Sequence, residues 1–212
     1  MFKKAFTLAE ILIVMAIIGT VAVATIPNLV DSYQEDKDIA KLRGVFHDLE
    51  VAYAKAVAEY GPIYMWADNS TQRAEILMKY VKSTYCGTDK NNSCYPSNVL
   101  GNNTTYLKYE LENGVGLAVY IPESPTNTGR IYVSLGGAKG RVDYGKNIFR
   151  IDYNTEGIYP YGKGLDRQSN GALKVFSSTA RYRATNWAIT NGNMDYLKCA
   201  NKLNWTNQTS CP

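Results

Sequence analysis

Residues 6–26, FTLAEILIVMAIIGTVAVATI, are apolar except for Thr7, Glu10, Gly19, Thr20 and Thr25. A helix of that length rises about 31 Å against a bilayer hydrocarbon core of about 30 Å, so the run is long enough to cross a membrane. Lys3 and Lys4 precede it and favour the cytoplasmic side. An ordinary secretory signal would end in a small-residue cleavage site. Ala22, Ala24 and Pro27 fit that pattern poorly, because the sequence beyond Pro27 continues as a helix.

The continuation carries Ile39, Leu42, Phe46, Leu49, Tyr53, Val57 and Tyr60 at steps of three or four, and Gly61-Pro62 is an explicit stop. Joined to the apolar run, it predicts one helix of about 55 residues and about 80 Å. The front, residues 6–30, has no polar face. The rear, 31–61, has an apolar stripe that must lie against something, which makes 62–212 a globular head packed on that stripe.

The chain of 212 residues is 45% hydrophobic, 12% aromatic and 20% charged, a composition that argues against disorder. Its 17 tyrosines and 17 glycines suit a β-rich extracellular domain. A short helix capped by Asp68 or Ser70 is expected, with Ala74, Leu77, Tyr80 and Val81 facing inward. Residues 105–110, 115–121, 130–134, 147–153 and 173–176 read as strands, and Glu112-Asn113-Gly114 is the clearest hairpin turn. The expected fold is therefore α+β, a long N-terminal helix packed on a small antiparallel sheet.

Cys86, Cys94, Cys199 and Cys211 lie in two local pairs, in segments rich in Asn, Thr and Ser. In an exported chain these read as staples, Cys86 with Cys94 and Cys199 with Cys211; buried free thiols are the alternative. The spacing does not suit zinc.

Residues 31–122 hold 9 Lys/Arg against 12 Asp/Glu, and residues 123–212 hold 12 against 6. The second half could attract acidic surfaces or nucleic acid at low salt, but its basic residues form no tract, so nucleic-acid binding is the minor reading. His47 is the one histidine, which rules out a multi-histidine metal site and a histidine triad within the chain. Leu135-Gly136-Gly137 reads as a turn and not a phosphate loop. No catalytic residue, cofactor or metal is expected.

Glu10 is the exception inside the apolar run. A carboxylate there costs roughly 2.5 to 3.5 kcal/mol on insertion scales and calls for a positive partner. Lys3 and Lys4 lie seven and six residues upstream, beyond an i to i+4 pair. Cleavage before Phe6 would create an α-amine one helical turn from Glu10. A cation at a helix N-terminus is poorly placed in its own chain, so this amine would seek the acid of a neighbouring copy.

A short basic leader followed by A-F-T-L-A-E-I-L-I-V resembles the signal of type IV prepilins. The resemblance implies that a membrane-bound prepilin peptidase removes residues 1–5, cutting between Ala5 and Phe6 on the cytoplasmic side, and methylates the Phe6 nitrogen. It implies that Glu10 aids methylation and docking, and that Gly19 and Pro27 bracket a stretch that kinks or loosens when subunits pack. The family commonly has glycine where Ala5 stands. Residues 131–149 resemble a pilin-like loop that usually reads D-x-N-G-x-K-G-P-N; Lys139 and Gly140 are kept, whereas Ser134, Gly136, Arg141 and Val142 replace its Asp, Asn, Pro and Asn. Asp143 is almost alone there, too few oxygens for calcium. Residues 185–199 resemble the C-terminal segment of the same group.

The implied function is a structural subunit of a bacterial type IV pilus or a type II secretion pseudopilus. Its implied partners are copies of itself or related pilins in a helical filament, the peptidase and an assembly platform in the inner membrane. It would begin as a single-pass inner-membrane protein with its leader in the cytoplasm, then pass into an extracellular or periplasmic filament. The alternative is a membrane-anchored adhesin or DNA receptor that does not polymerise.

Overall fold

A computed structural model of the chain describes residues 7–66, 69–89, 93–100, 105–122, 128–174 and 177–212. Two compact units divide the chain, Met1–Lys37 and Asp38–Pro212, and one helix, α1 (Leu8–Tyr60, 53 residues), contributes to both.

In the first unit every described residue lies on or just before α1, which contains Pro27. Its two apolar-stretch threonines bond back onto the helix. The Thr20 hydroxyl donates to the Ile17 carbonyl at 2.9 Å and the Thr25 hydroxyl to the Val21 carbonyl at 3.0 Å, so neither leaves a bare polar group on the apolar surface.

The second unit is α+β. Its six-stranded sheet has β1 (Ser83–Tyr85), β2 (Leu107–Leu111), β3 (Gly116–Tyr120), β4 (Gly129–Ser134), β5 (Ile148–Asn154) and β6 (Gly157–Pro160) side by side in chain order. Every neighbouring pair is antiparallel. Alternation along the strands decides the core. Leu107, Tyr109 and Leu111 of β2, Leu117 and Val119 of β3, Ile131 and Val133 of β4, and Phe149, Ile151 and Tyr153 of β5 join one apolar cluster. Into the same cluster α1 sends Ile39, Leu42, Val45, Leu49, Ala52 and Ala56, all buried.

The buried stripe of α1 thus differs from the expected one. Val45, Ala52 and Ala56 occupy its centre, Phe46, Tyr53 and Val57 flank it half-buried, and Tyr60 is 36% exposed. Alanines are uninformative by hydrophobic periodicity, yet their small side chains suit the tightest part of a packed face. The tyrosine instead uses its polar tip: Tyr53 donates to the Asn154 carbonyl at 3.0 Å.

The short helix α2 (Ser70–Met78) is capped by neither expected residue. Asn69 is its N-cap, and the side chain accepts from the Gln72 amide at 2.8 Å; Asp68 lies outside the described residues. Ala74, Leu77 and Val81 are buried and Tyr80 is half-buried, as is expected of an inward face.

Two strands were not expected, β1 and β6. Each is short, and β6 ends in Pro160, which an outermost strand tolerates because it owes no amide to a further neighbour. Over its described part, the expected strand at 173–176 is not one. Leu173 is buried and makes an isolated bridge to Arg167, while its amide goes to the Leu203 carbonyl at 2.9 Å; residues 175 and 176 lie outside the described residues. A loop across the core satisfies the same apolar content that suggested a strand.

The 112–114 hairpin joins β2 to β3. Gly114 takes φ +77°, and its amide donates to the Leu111 carbonyl at 2.9 Å, a three-residue loop with glycine in the left-handed position.

Candidate functional site

The first candidate site is the start of α1. The Thr7 amide and hydroxyl donate to Glu10 Oε2 at 2.8 and 3.0 Å, and Thr7 Oγ1 accepts from the Glu10 amide at 3.3 Å. The Ile11 amide bonds the Thr7 carbonyl at 3.3 Å, so Thr7 stands at the N-cap and Glu10 at the third helical position. This reciprocal box was missed in reading the sequence for a partner to Glu10, although T-L-A-E ahead of an apolar run is its signature. The carboxylate has a neutral local partner at the positive end of the helix. Oε1 takes no part in the box and is the oxygen through which the acid could meet a cation.

Ala5 and Phe6, the expected cleavage and methylation positions, lie outside the described residues. Gly19 sits within α1, and a Cβ built on it would meet nothing within 4 Å, so no packing inside the chain requires glycine there. Pro27 also lies within α1; lacking an N–H, it cannot donate to the carbonyl four residues earlier, and the helix continues across it.

Leu8, Leu12, Ile13, Met15, Ile17, Ile18, Val23 and Leu29 on this unit are all exposed, from 58% to 81%. By length and composition α1 suffices to cross a membrane. So large an apolar surface marks a site that lipid or other protein covers.

In the second unit the cysteines are joined locally. Cys86 pairs with Cys94 across a Cα separation of 6.2 Å and Cys199 with Cys211 across 5.9 Å. The first loop is anchored from within by Lys108 of β2, whose ammonium donates to the Asp89 carbonyl at 2.9 Å and to the Thr88 carbonyl. The second is held by Asp195, whose Oδ2 accepts from the Cys211 amide at 2.8 Å. Near Asp143 the oxygens serve a turn: the Asp143 carbonyl accepts from the Lys146 and Asn147 amides at 3.1 and 3.0 Å.

The sheet face turned away from the main core carries a polar and aromatic cluster that sequence reading did not assemble. Arg150 of β5 is 8% exposed and forks onto Asp152 two residues on, Nε to Oδ1 at 2.5 Å and Nη2 to Oδ2 at 2.9 Å. Its guanidinium carbon lies 3.8 Å from the Tyr161 ring centroid and 5.9 Å from that of Tyr132. Burial pushes the Tyr132 phenol up to about 12. The signal was present as the outward alternates of the β4 and β5 runs, but a charged residue at an outward position ordinarily reads as solvated.

His47 is exposed on α1 and borders a groove of about 400 Å³ with Asp48, Lys55, Tyr80, Lys82 and Glu112. Among the described residues no three His, Cys, Asp or Glu side chains are grouped to hold a metal ion. Against protein-family models, curated proteins and solved structures, the chain finds no match.

Proposed function

We propose that this chain is a structural subunit of a bacterial type IV pilus or type II secretion pseudopilus, cut between Ala5 and Phe6 and polymerised through α1. One observation carries the reading: the front of α1 is apolar and exposed with a single carboxylate in its first turn, and the chain continues into a well-packed α+β unit with two disulfides. In a plain membrane anchor the acid would contribute only its cap to Thr7, about 1 kcal/mol, against an insertion cost of roughly 2.5 to 3.5 kcal/mol. A polymerising helix gains more, because each incoming amine at Phe6 finds an acid on a neighbour, and the apolar surface passes from lipid to the filament interior. The disulfides fit a head that works in an oxidising space beyond the inner membrane. The partners in this reading are related pilins, a prepilin peptidase and an inner-membrane assembly platform, and the chain itself does no catalysis.

The test is the mature N-terminus. Mass spectrometry of protein extracted from membranes of the native host is expected to find chains starting at N-methylated Phe6. Replacing Ala5 with a bulky residue is expected to leave the precursor uncut. Met1 on the mature surface form would overturn the assignment.

A further inference from the structure

Six tyrosine rings form one contact chain over the sheet face turned away from the main core. Tyr120 meets Tyr106 at 5.5 Å between ring centroids, Tyr106 meets Tyr132 at 5.8 Å, and Tyr132 meets Tyr182 at 6.2 Å. Tyr182 also meets Tyr144 and Tyr161, each at 5.6 Å. The first four of these pairs are tilted or edge-on, whereas Tyr161 and Tyr182 are stacked, with 29° between their planes.

Backbone contacts fix the stacked pair. Tyr161 follows β6; its amide donates to the Arg150 carbonyl at 3.1 Å, and its carbonyl accepts from the Asn186 amide at 3.2 Å. Tyr182 lies on the 3-10 segment Ser178–Ala184. A Cβ built on Gly162 would lie 1.9 Å from the Arg183 carbonyl oxygen, so the residues that follow the two tyrosines are pressed backbone to backbone. Both rings are half-exposed, which opens them to a solvent-borne oxidant and gives their hydroxyl protons a path to water. Tyr132 and Tyr144 differ in this respect, because burial pushes their phenols upward and makes proton loss harder. Tyr85 and Tyr109 also touch, at 5.3 Å, but Tyr109 is 5% exposed and burial raises its phenol in the same way.

We infer that Tyr161 and Tyr182 are a site of oxidative modification, where hydrogen peroxide acting through a haem peroxidase joins the two rings by a carbon–carbon bond. Each phenol gives up one electron and its hydroxyl proton, leaving a neutral radical with unpaired density on the ring carbons beside the oxygen. The two radicals couple through one such carbon each. The hydrogen on each coupled carbon then moves to its oxygen, which restores both phenols, and the two electrons and two protons reduce peroxide to water. Stacked rings need only slide to bring these carbons edge to edge. Tyr132 and Tyr144, at 75° and 68° to Tyr182, set an edge against a face and must turn first. The bond closes a loop from the end of β6 to the 3-10 segment and ties the C-terminal segments to the sheet, a covalent staple beside the two disulfides.

The test treats the full chain, dilute in maltoside micelles, with hydrogen peroxide and a haem peroxidase, and reads intact mass, cross-linked peptides and thermal unfolding. The expected product is a monomer lighter by two hydrogen atoms, in which mapping joins Tyr161 to Tyr182. Closing that loop is expected to raise the unfolding midpoint by about 5 °C. Tyr161→Phe and Tyr182→Phe keep the ring packing and are each expected to lose this product, whereas Tyr144→Phe forms it as the parent does. Absence of a link within the chain overturns the inference, as does a Tyr144–Tyr182 link in its place or an undiminished linked product in Tyr161→Phe. A linked monomer that unfolds at the parent's temperature overturns the staple. The reaction needs no filament, so its outcome is separate from that of the assembly tests.

Discussion

Thr7 and Glu10 hold each other across the first turn of α1: the acid accepts from the Thr7 amide at 2.8 Å, and the threonine hydroxyl accepts from the Glu10 amide at 3.3 Å. The acid therefore has two separable properties, a hydrogen-bonding oxygen that closes the box and a charge that the box does not neutralise. Caps of this kind contribute about 1 kcal/mol. Thr7→Ala is expected to speed hydrogen exchange of the Glu10 amide about fivefold in detergent micelles, and Glu10→Gln, which preserves the box, is expected to leave the Thr7 amide protected. Unchanged exchange in Thr7→Ala would show that the box does not persist in solution.

Asp166 is a buried acid whose carboxylate accepts from Asn186 Nδ2, while its carbonyl accepts from Trp205 Nε1 at 3.1 Å. Burial raises the carboxyl above its ordinary 3.8. A folded-state value raised in this way favours the protonated form. Its contribution to stability is complete below pH 3.8 and is lost as pH rises through the raised value. Asp166→Asn keeps an acceptor for Asn186 and carries no charge, so it is expected to melt higher than the parent at pH 7, with the gap closing toward pH 3.5, roughly the foot of the ordinary carboxylate range. An equal fall in Tm at both pH values would contradict this account.

Two glycines test how much of the chain's small-residue usage is packing. A Cβ on Gly116 of β3 would come within 2.2 Å of the Cys94 carbonyl oxygen and 3.3 Å of the Tyr95 ring, so Gly116→Ala is expected to cost about 1 to 3 kcal/mol in thermal unfolding. Gly19→Ala meets nothing within 4 Å and is expected to leave the unfolding of the head unchanged. If Gly19→Ala destabilised the isolated chain as much as Gly116→Ala, the contact geometry described for the two positions would be wrong.

Legibility followed the physical strength of each signal. The long helix was readable because its front is uniformly apolar and its rear has a 3.6-residue period, and the strands at β2 to β5 because Leu107 to Leu111 and Phe149 to Tyr153 alternate cleanly. Val45, Ala52 and Ala56 were not readable as the centre of the stripe, since alanine carries little hydrophobic contrast and close approach is a tertiary matter. Edge strands β1 and β6 have three and four residues, too few for a period to show. Asn69 was passed over as a cap in favour of its neighbours Asp68 and Ser70, a one-residue ambiguity that only backbone geometry resolves. At the site, Glu10 stands out as an acid among apolar residues, which points to an opposite charge, whereas its local partner is the neutral Thr7 three residues before it.

On the proposed function, the charge of Glu10, and not its cap, drives assembly of this chain into a filament. The decisive measurement counts surface filaments by immunogold electron microscopy in native-host cells carrying Glu10→Gln as the only copy, with membrane levels of the chain measured in parallel. The account predicts filaments containing the parent chain, and for the variant unchanged membrane insertion with filaments nearly absent, since an unpaired buried amine costs roughly 3 to 5 kcal/mol. Filaments of Glu10→Gln at the parent's abundance, or none that contain the parent chain, would contradict it.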